Sequence, residues 1–381
     1  DLIYMKIPFN KPFFIGNETK YISQAVKSGK ISGDGMFTKK CHDFFEKKYG
    51  FKKVLLTTSC TDALEMAAIL MDTKVGDEII MPSYTFVSTA NAFVLRGAKI
   101  VFADSGSLNP NIDVATIESL ITPKTKAIVV VHYAGISCDM DAVMALSKKH
   151  NLLVIEDAAQ AIDSFYKGKP LGSIGHLAAF SFHETKNIIS GEGGMLVVND
   201  EQFIKRAEII REKGTNRTQF FRGEIDKYDW VDIGSSFLPS ELTAAFLFAQ
   251  VENIELIQKK RLSIWERYHK ELASLEKLGK IALPKIPNYA TNNAHIYYII
   301  CKSLEERTAL IDKLKQDGIL AVFHYISLHS SPFYRSQNVG VTLDNADNYT
   351  RCLLRLPLFY DLKHKEQSLV INSILDFYKL K

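Results

Sequence analysis

The chain contains a series of short, largely apolar segments between about residues 52 and 199, separated by amphipathic stretches. These segments are Val54–Leu56, Glu78–Pro82, Lys99–Asp104, Ala127–His132, Leu153–Asp157, Ala178–Phe182 and Gly194–Asn199. Intervening stretches such as DALEMAAILM (residues 62–71) have the apolar spacing of helices. Strands that are apolar on both faces are typical of parallel sheets covered by helices. The pattern therefore predicts a large α/β domain with a mostly parallel sheet.

The pattern of apolar and polar residues changes after Asn199 and predicts a smaller α+β domain. The predicted elements are a helix ending at Gly214, a polar and aromatic loop at residues 215–234, one long helix or two in succession from Pro239, a strand at residues 295–301, a helix at 304–317, a strand at 320–325 and two C-terminal helices. We therefore divide the chain into a large domain (5–238), connecting helices (239–282) and a small domain (283–381).

Composition excludes several classes of function. A net charge of +4 on 381 residues is too small to indicate a nucleic-acid or membrane-surface protein, so any preference for anions must come from a local site. The five cysteines are scattered, without the paired spacing of zinc or iron–sulfur sites. The N-terminal segment lacks the apolar core of a signal peptide, and no run reaches the ~18 apolar residues of a membrane span. These features predict a metal-free cytoplasmic protein with reduced thiols.

The segment AAFSFHETKNIISGEGGMLVV (residues 178–198) places a lysine directly after a buried strand. Lys186 lies in the polar stretch after that strand, and Gly191, Gly193 and Gly194 then permit tight turns before the next strand. An amine in this position can condense with the aldehyde of a cofactor. A lone lysine is more often a solvated surface residue, so the interpretation depends on its companions.

Two other segments supply those companions. In TTSCTDALEMAA (residues 57–68) a strand leads through small polar residues into a helix whose free N–H groups can bind phosphate, although simple helix capping by Ser59 or Thr61 is the alternative. In VIEDAAQA, Asp157 and Gln160 follow a buried strand, at the edge where open α/β sheets bind ligands. The protonated ring nitrogen of pyridoxal phosphate is one cationic partner for such a carboxylate, and a salt-bridged or capping Asp is the alternative.

These motifs occur in an order that resembles the sugar aminotransferases of the DegT/DnrJ/EryC1/StrS family. PSYTFVSTANA, VHYAG, IEDAAQA, FSFHETKN and GEGG carry the resemblance, which extends over nearly the whole chain. It implies the aspartate-aminotransferase-like fold (fold type I of pyridoxal-phosphate enzymes), pyridoxal 5′-phosphate as cofactor, and a homodimer with shared active sites. It also implies L-glutamate as the amino donor and a nucleotide-linked keto-sugar as the acceptor.

Three further segments, HETKN, REKGTNRTQFFRGEIDKYDW and AVFHYISLHSSP, resemble one branch of this family. That branch implies amination of dTDP-4-keto-6-deoxy-D-glucose to the 4-amino-4,6-dideoxy-D-galactose product, for a surface glycan such as O-antigen or enterobacterial common antigen. The gluco epimer is the alternative product. A sugar dehydratase of the same fold is a rival function, but such relatives carry His where this chain has Lys186. A non-catalytic sensor is a second rival, but it would not need every cofactor-binding residue.

The resemblance implies a role for each matched residue. Lys186 would hold the cofactor and move the proton, Asp157 would pair with the ring nitrogen, Gln160 would approach the ring hydroxyl, and Phe86 would stack on the ring. The expected phosphate-binding residues are Cys60, Thr61 and Ser181, with Ser236 from the neighbouring subunit. The expected substrate-binding residues are His132, His183, Arg211, Lys213, Arg217, Arg222, His324, Tyr325 and His329.

Some of these positions allow other interpretations. Many family members have Gly at the position of Cys60, so this side chain must point away from the phosphate. Ser236 replaces the Asn of a Gly-x-Asn-x-Arg motif and has a shorter reach. His132 and His183 also fit satisfied core histidines. The basic residues between 211 and 222 fit a solvated loop as well as a diphosphate site built on arginines.

Overall fold

The computed structural model describes residues 6–337 and 340–379. The strands are β1 (Lys53–Thr57), β2 (Glu78–Pro82), β3 (Lys99–Ala103), β4 (Thr125–Val131), β5 (Leu153–Asp157), β6 (Phe165–Tyr166), β7 (Lys169–Pro170), β8 (Leu177–Ser181), β9 (Gly194–Val198), β10 (Tyr297–Ile300) and β11 (Leu353–Leu356). The α-helices are α1 (Glu18–Lys27), α2 (Met36–Tyr49), α3 (Cys60–Leu70), α4 (Val87–Val94), α5 (Val114–Ile117), α6 (Met140–His150), α7 (Ile204–Arg211), α8 (Arg217–Phe221), α9 (Glu241–Val251), α10 (Ile254–Lys277), α11 (Leu304–Gln316), α12 (Asp344–Cys352) and α13 (His364–Lys379).

A seven-stranded sheet in the order β1-β9-β8-β5-β4-β2-β3 forms the centre of the large domain. The strands β8, β5, β4, β2 and β3 are parallel, whereas β9 is antiparallel to both β1 and β8. Successive β4 residues alternate between two apolar cores, with Ala127 and Val129 in one and Ile128 and Val130 in the other. Apolar side chains therefore cover both faces, and the predicted mostly parallel α/β domain is confirmed.

The small domain is built on the antiparallel pair β10–β11. Its apolar core joins side chains from β10, β11, α11 and α13 with Trp265 and Tyr268 of the long helix α10. The N-terminal segment also belongs to this core, because Ile7 is buried in it and pairs with Ile319. Within the described ranges, no helix is both long and apolar enough to cross a bilayer.

The secondary structure after residue 199 departs in several places from the prediction. The first helix ends at Arg211 rather than Gly214, because Glu212 leaves helical geometry and Lys213 has a φ of +64°. The loop that follows contains the short helix α8. Of the two alternatives predicted from Pro239, the chain forms two helices in succession, α9 and α10, separated at Asn253.

The prediction of a strand at residues 320–325 is wrong. This segment changes partner too often to form a ladder: Leu320 N–H donates to Ile7, and Val322 pairs with Arg355 as a single bridge. The His324 carbonyl then accepts hydrogen bonds from the hydroxyls of Tyr84 and Tyr133. Because Tyr84 and Tyr133 follow β2 and β4, these bonds hold the segment against the large domain.

Candidate active site

A cavity of about 510 Å³ opens beside the carboxyl ends of β4, β5 and β8. The last residue of each strand, Val131, Asp157 and Ser181 respectively, lines it. This edge of an open α/β sheet is where ligands bind. The cavity brings together most of the predicted site residues: Cys60, Thr61, Phe86, Asp157, Gln160, Ser181, His183, Lys186, His324 and Tyr325.

Lys186 lies on a tight turn between β8 and β9. Its N–H donates to the His183 carbonyl (2.8 Å). The Phe182 N–H donates a hydrogen bond to the Gly193 carbonyl, and the Phe182 carbonyl accepts one from the Ser190 N–H. Burial of the amine lowers the pKa of Lys186 to about 8, and the charge of Arg355 acts in the same direction. A substantial fraction of the amine is therefore neutral at mildly alkaline pH, as a nucleophilic lysine requires.

Asp157 is a buried carboxylate at the end of β5. One oxygen accepts a hydrogen bond from the Thr89 hydroxyl (2.7 Å) and the other from the Ala159 N–H (3.2 Å). Burial raises the pKa of Asp157, while the Thr89 hydrogen bond opposes that rise. Among the described residues, no Lys, Arg or His lies within 4.0 Å of this carboxylate. An unpaired acid facing a cavity fits a protonated pyridine nitrogen as its cationic partner.

The start of α3 has the chemistry of a phosphate site. Ser59 caps the helix by accepting from the Asp62 N–H (3.0 Å), whereas the N–H groups of Cys60 and Thr61 donate to no acceptor in the described parts of the chain. Gly194 packs so closely that a Cβ there would lie 2.4 Å from the Cys60 nitrogen. Free N–H groups at the positive end of a helix bind phosphate. The donor set therefore fits the phosphate of pyridoxal phosphate.

Cys60 brings no negative charge to this helix start. Burial raises the pKa of its thiol well above the ordinary value, so the side chain is a neutral thiol. Ser181 reaches the same region because β8 and β9 pair Ser181 with Gly194. The Thr61 hydroxyl donates to Ser88 (2.8 Å), which ties the start of α3 to α4.

Phe86 and Gln160 lie where a planar ring would be held. Phe86 precedes α4 and is 55% exposed, and its ring contacts that of Tyr325 with 5.9 Å between centroids. The Gln160 oxygen accepts from the Ala134 N–H (2.7 Å), and its amide donates to the Tyr325 hydroxyl (3.1 Å). An exposed aromatic face in a cavity wall is suited to stacking on a cofactor ring.

Three of the predicted substrate residues also line the cavity. His183 forms a hydrogen bond with the Thr185 hydroxyl (2.9 Å) through Nδ1. Burial and the nearby Arg355 lower the pKa of His324 to about 4, so its imidazole is neutral. Tyr325 is held by Gln160, as described above. The side chains of His324 and Tyr325 are polar and uncharged near neutral pH. The side chain of His183 is half-exposed.

His132 and His329 do not line the cavity, which corrects the expectation that they face the substrate or cofactor. His132 is fully buried; its Nδ1 accepts from the Cys138 N–H (3.2 Å) and its Nε2 donates to Glu156 (2.9 Å). His329 is buried against the Ser83 hydroxyl (2.7 Å). Both are satisfied core histidines.

The basic residues between 211 and 222 lie outside the cavity of their own chain. Arg211 is buried, with Nε donating to the Leu56 carbonyl (2.7 Å) and Nη1 paired with Asp34 (2.8 Å). This burial contradicts the expectation that Arg211 binds diphosphate. Arg222 is paired with Glu208 (2.9 Å) and Glu224 (2.5 Å).

Lys213 and Arg217 are less constrained. Lys213 is exposed and lies 3.7 Å from Glu212, and the Arg217 guanidinium lies over the Phe221 ring at 5.1 Å. Ser236 is exposed and pairs with Glu212 in a single β-bridge, away from the cavity of its own chain. These three residues are therefore available to a neighbouring molecule.

Sequence analysis did not identify Arg355, Phe9 or Thr89, all of which line the cavity. Arg355 had one usable signal, since a charged residue inside the apolar run LLRLPLF is unusual in a buried strand. Phe9 comes from the N-terminal segment, and its place beside the cavity depends on the pairing of Ile7 with Ile319. No local pattern predicts such a contact.

Both the sequence and the fold of the chain match known proteins. The family model described as the DegT/DnrJ/EryC1/StrS aminotransferase family matches residues 14–375. The chain is 32% identical to the spore coat polysaccharide biosynthesis protein SpsC of Bacillus subtilis over 382 residues, covering 98% of this chain and 97% of SpsC.

Two solved structures have the same fold over almost the full length. An aminotransferase from Psychrobacter cryohalolentis matches with a TM-score of 0.91 at 27% identity, covering 97% of this chain and 98% of the other. Spr1654 of Streptococcus pneumoniae, assigned as a sugar aminotransferase and solved in PLP and PMP forms, matches in its PMP form with a TM-score of 0.90 at 26% identity, covering 98% and 100%.

Proposed function

The chain belongs to the DegT/DnrJ/EryC1/StrS aminotransferase family, with pyridoxal 5′-phosphate as its cofactor, and on that premise we propose that it transfers an amino group from L-glutamate to the C4 ketone of dTDP-4-keto-6-deoxy-D-glucose. The products are 2-oxoglutarate and dTDP-4-amino-4,6-dideoxy-D-galactose. One observation carries the proposal: Lys186, the unpaired Asp157 and the free N–H groups at the start of α3 converge on one cavity.

The residues divide the work between binding and proton transfer. When bound, pyridoxal phosphate supplies an electron-withdrawing ring that takes up the electron pair released at the donor carbon. Lys186 would hold the cofactor, and its Nζ would accept the proton from that carbon and deliver it to C4′ of the cofactor. Its depressed pKa of about 8 suits an amine that must both take and give a proton near neutral pH.

Asp157 keeps the ring nitrogen protonated, and its two hydrogen bonds from Thr89 and Ala159 fix the carboxylate in place. Phe86 would stack on the ring, and the Gln160 amide would approach the ring hydroxyl. The N–H groups of Cys60 and Thr61, with Ser181, hold the phosphate.

A homodimer would complete the site. Ser236, Lys213 and Arg217 do not reach the cavity of their own chain, so the proposed contacts with the cofactor phosphate and the sugar-nucleotide diphosphate fall on the partner's cavity. Exposed apolar side chains in the same region, with Phe221 68% and Trp230 78% exposed, are suited to an interface between subunits. Arg222 is paired with two carboxylates and therefore offers less positive charge to the diphosphate than expected.

The proposal goes beyond family membership in three respects: the identity of the sugar nucleotide, the C4 stereochemistry of the product and the cytoplasmic location. Support for the substrate comes from HETKN and AVFHYISLHSSP, which resemble dTDP-4-amino-4,6-dideoxygalactose transaminase, and the product would then serve a surface glycan such as O-antigen or enterobacterial common antigen. The gluco-epimer-forming enzyme is the alternative. All five cysteines are free, in keeping with a reducing compartment.

The test is incubation of the purified protein with dTDP-4-keto-6-deoxyglucose and L-glutamate, followed by NMR of the sugar product. A 4-amino product together with 2-oxoglutarate supports the proposal. A dehydrated sugar supports the dehydratase. A protein that binds pyridoxal phosphate but shows no spectral change with glutamate supports a sensor.

A further inference from the structure

Arg355 is a buried cation in the cavity wall for which the described residues supply no anion. It lies on β11 and is 6% exposed. Its Nη1 contacts Nδ1 of His324 (3.1 Å), and its guanidinium lies over the Phe9 ring at 4.9 Å from the centroid. The Nε has no hydrogen-bond partner, and no Asp or Glu of the described ranges lies within 4.0 Å.

The other buried arginines of the described chain lie outside the cavity that contains Lys186. One of them, Arg307, also has no carboxylate partner and an unpartnered Nε, but its Nη1 donates to the Thr350 carbonyl (2.6 Å). Arg211 pairs with Asp34, and Arg261 donates to the carbonyls of Ala294 (3.1 Å) and His295 (2.7 Å). Neither lines the cavity that contains Lys186. A buried guanidinium without an anion or enough acceptors is costly, and such a charge is retained where a ligand completes it. Arg355 therefore marks an anion site in the cavity wall.

We propose that Arg355 binds a carboxylate of the amino-acid donor. The inference rests on the proposed function and adds a residue that selects the donor. A planar guanidinium matches a carboxylate in a two-pronged hydrogen-bonded pair, which also fixes the orientation of the bound acid. An α-amino acid carries a carboxylate one bond from the reacting carbon. This anion must come close to Lys186, and Arg355 shares the cavity with Lys186.

The other anions of the reaction have better-placed partners. The cofactor phosphate has the free N–H groups of Cys60 and Thr61 at the start of α3. The diphosphate of a sugar nucleotide is attached at C1, at the opposite corner of the sugar ring from the C4 ketone. It therefore lies away from the amine-transfer point and, in the proposed dimer, near Lys213 and Arg217 of the partner. The donor carboxylate is the anion left without a cation.

The surroundings of Arg355 orient it without neutralising it. Nδ1 of His324 accepts from the guanidinium, because arginine has no acceptor, and burial keeps that imidazole neutral. Phe9 covers one face of the guanidinium with an aromatic ring. Both neighbours favour the cation and leave its charge available to a ligand.

The test uses the cofactor-loaded enzyme and treats the two half-reactions separately. In Arg355→Gln, the glutamate concentration that gives a half-maximal spectral change should rise about ten- to hundredfold, because a charge-assisted pair is lost. Arg355→Lys, which keeps the charge but loses the fork, should lie between this variant and the wild type. Arg351→Gln, an exposed arginine on α12, is the matched control and should behave as wild type.

Binding is measured independently of turnover by titrating maleate, a dicarboxylate without an amine, into each loaded protein by calorimetry. Weaker maleate binding in Arg355→Gln, with unchanged amination of the keto-sugar by the pyridoxamine form, supports the proposal. Unchanged glutamate and maleate dependence would overturn it, as would a defect confined to the sugar half-reaction. If the wild type itself failed to react with glutamate, that result would contradict the proposed function. It would not bear on whether Arg355 binds the carboxylates of maleate.

Discussion

The Thr89 hydroxyl donates a 2.7 Å hydrogen bond to the Asp157 carboxylate, which joins α4 to the end of β5 at the floor of the cavity. This bond opposes the rise in the pKa of Asp157 that burial causes, and so helps keep the carboxylate charged. The acid therefore depends on a neighbour from another element, brought to it by the sheet topology.

Replacing Asp157 by Asn should lower kcat by about 10²- to 10³-fold while most of the cofactor is retained, because the ring nitrogen loses its anionic partner. Thr89→Val should give a smaller loss, since the carboxylate remains but loses one donor. Steady-state kinetics and the cofactor absorbance of both variants provide the measurement. Unchanged kinetics in Asp157→Asn would make the residue structural.

Lys186→Ala should fold and bind cofactor non-covalently but show no turnover. In the wild-type apoprotein, covalent attachment of pyridoxal phosphate requires the neutral amine, whose pKa is lowered to about 8 by burial. The attachment rate should therefore rise about tenfold for each pH unit below 8 and level off above it. An ordinary lysine would continue to rise towards pH 10. Stopped-flow absorbance across this pH range distinguishes the two, and near-normal amination by Lys186→Ala would remove the central assignment.

Gly194→Ala should weaken cofactor binding, because the added Cβ would lie 2.4 Å from the Cys60 nitrogen and displace the start of α3. Gly106→Ala is the matched control, since a Cβ there meets its nearest atom at an ordinary 3.5 Å. Fluorescence titration of the two apoproteins with pyridoxal phosphate measures the effect. Equal affinities would mean that the helix start does not bind the phosphate.

The double variant Lys213→Gln with Arg217→Gln should raise KM for the sugar nucleotide by about tenfold and leave the glutamate half-reaction intact. Arg222→Gln should instead lower thermal stability, because it removes a partner of the buried Glu208. Kinetics and melting curves for both proteins separate binding from folding. If the double variant impaired both half-reactions alike, this loop would hold the site or the dimer together.

The sequence predicted the large sheet well because each buried strand has its own apolar run, and the residues at the strand ends then follow from topology. Asp157, Ser181 and Val131 reach one edge for this reason. Long-range pairing was not predictable. Neither the contact of Phe9 with Arg355 nor the single bridge that replaced the strand at residues 320–325 has a local signal. The expectation that His132 and His329 face the ligands was wrong for a related reason. The sequence does not reveal that their imidazoles already form hydrogen bonds with Glu156 and Ser83.

The C4 stereochemistry of the product depends on how the keto-sugar is held in the cavity. The face of the ketone that meets Lys186 decides between the galacto and gluco amines, and a small change of pose reverses it. A few hydrogen bonds to ring hydroxyls set that pose, each worth about 1–3 kcal/mol when its loss leaves a buried group unpaired. The neutral side chains of His324 and Tyr325 are available for such bonds. We expect an axial amine and therefore a small H3–H4 coupling in the product NMR spectrum. A large coupling would assign the gluco product and leave the aminotransferase assignment in place.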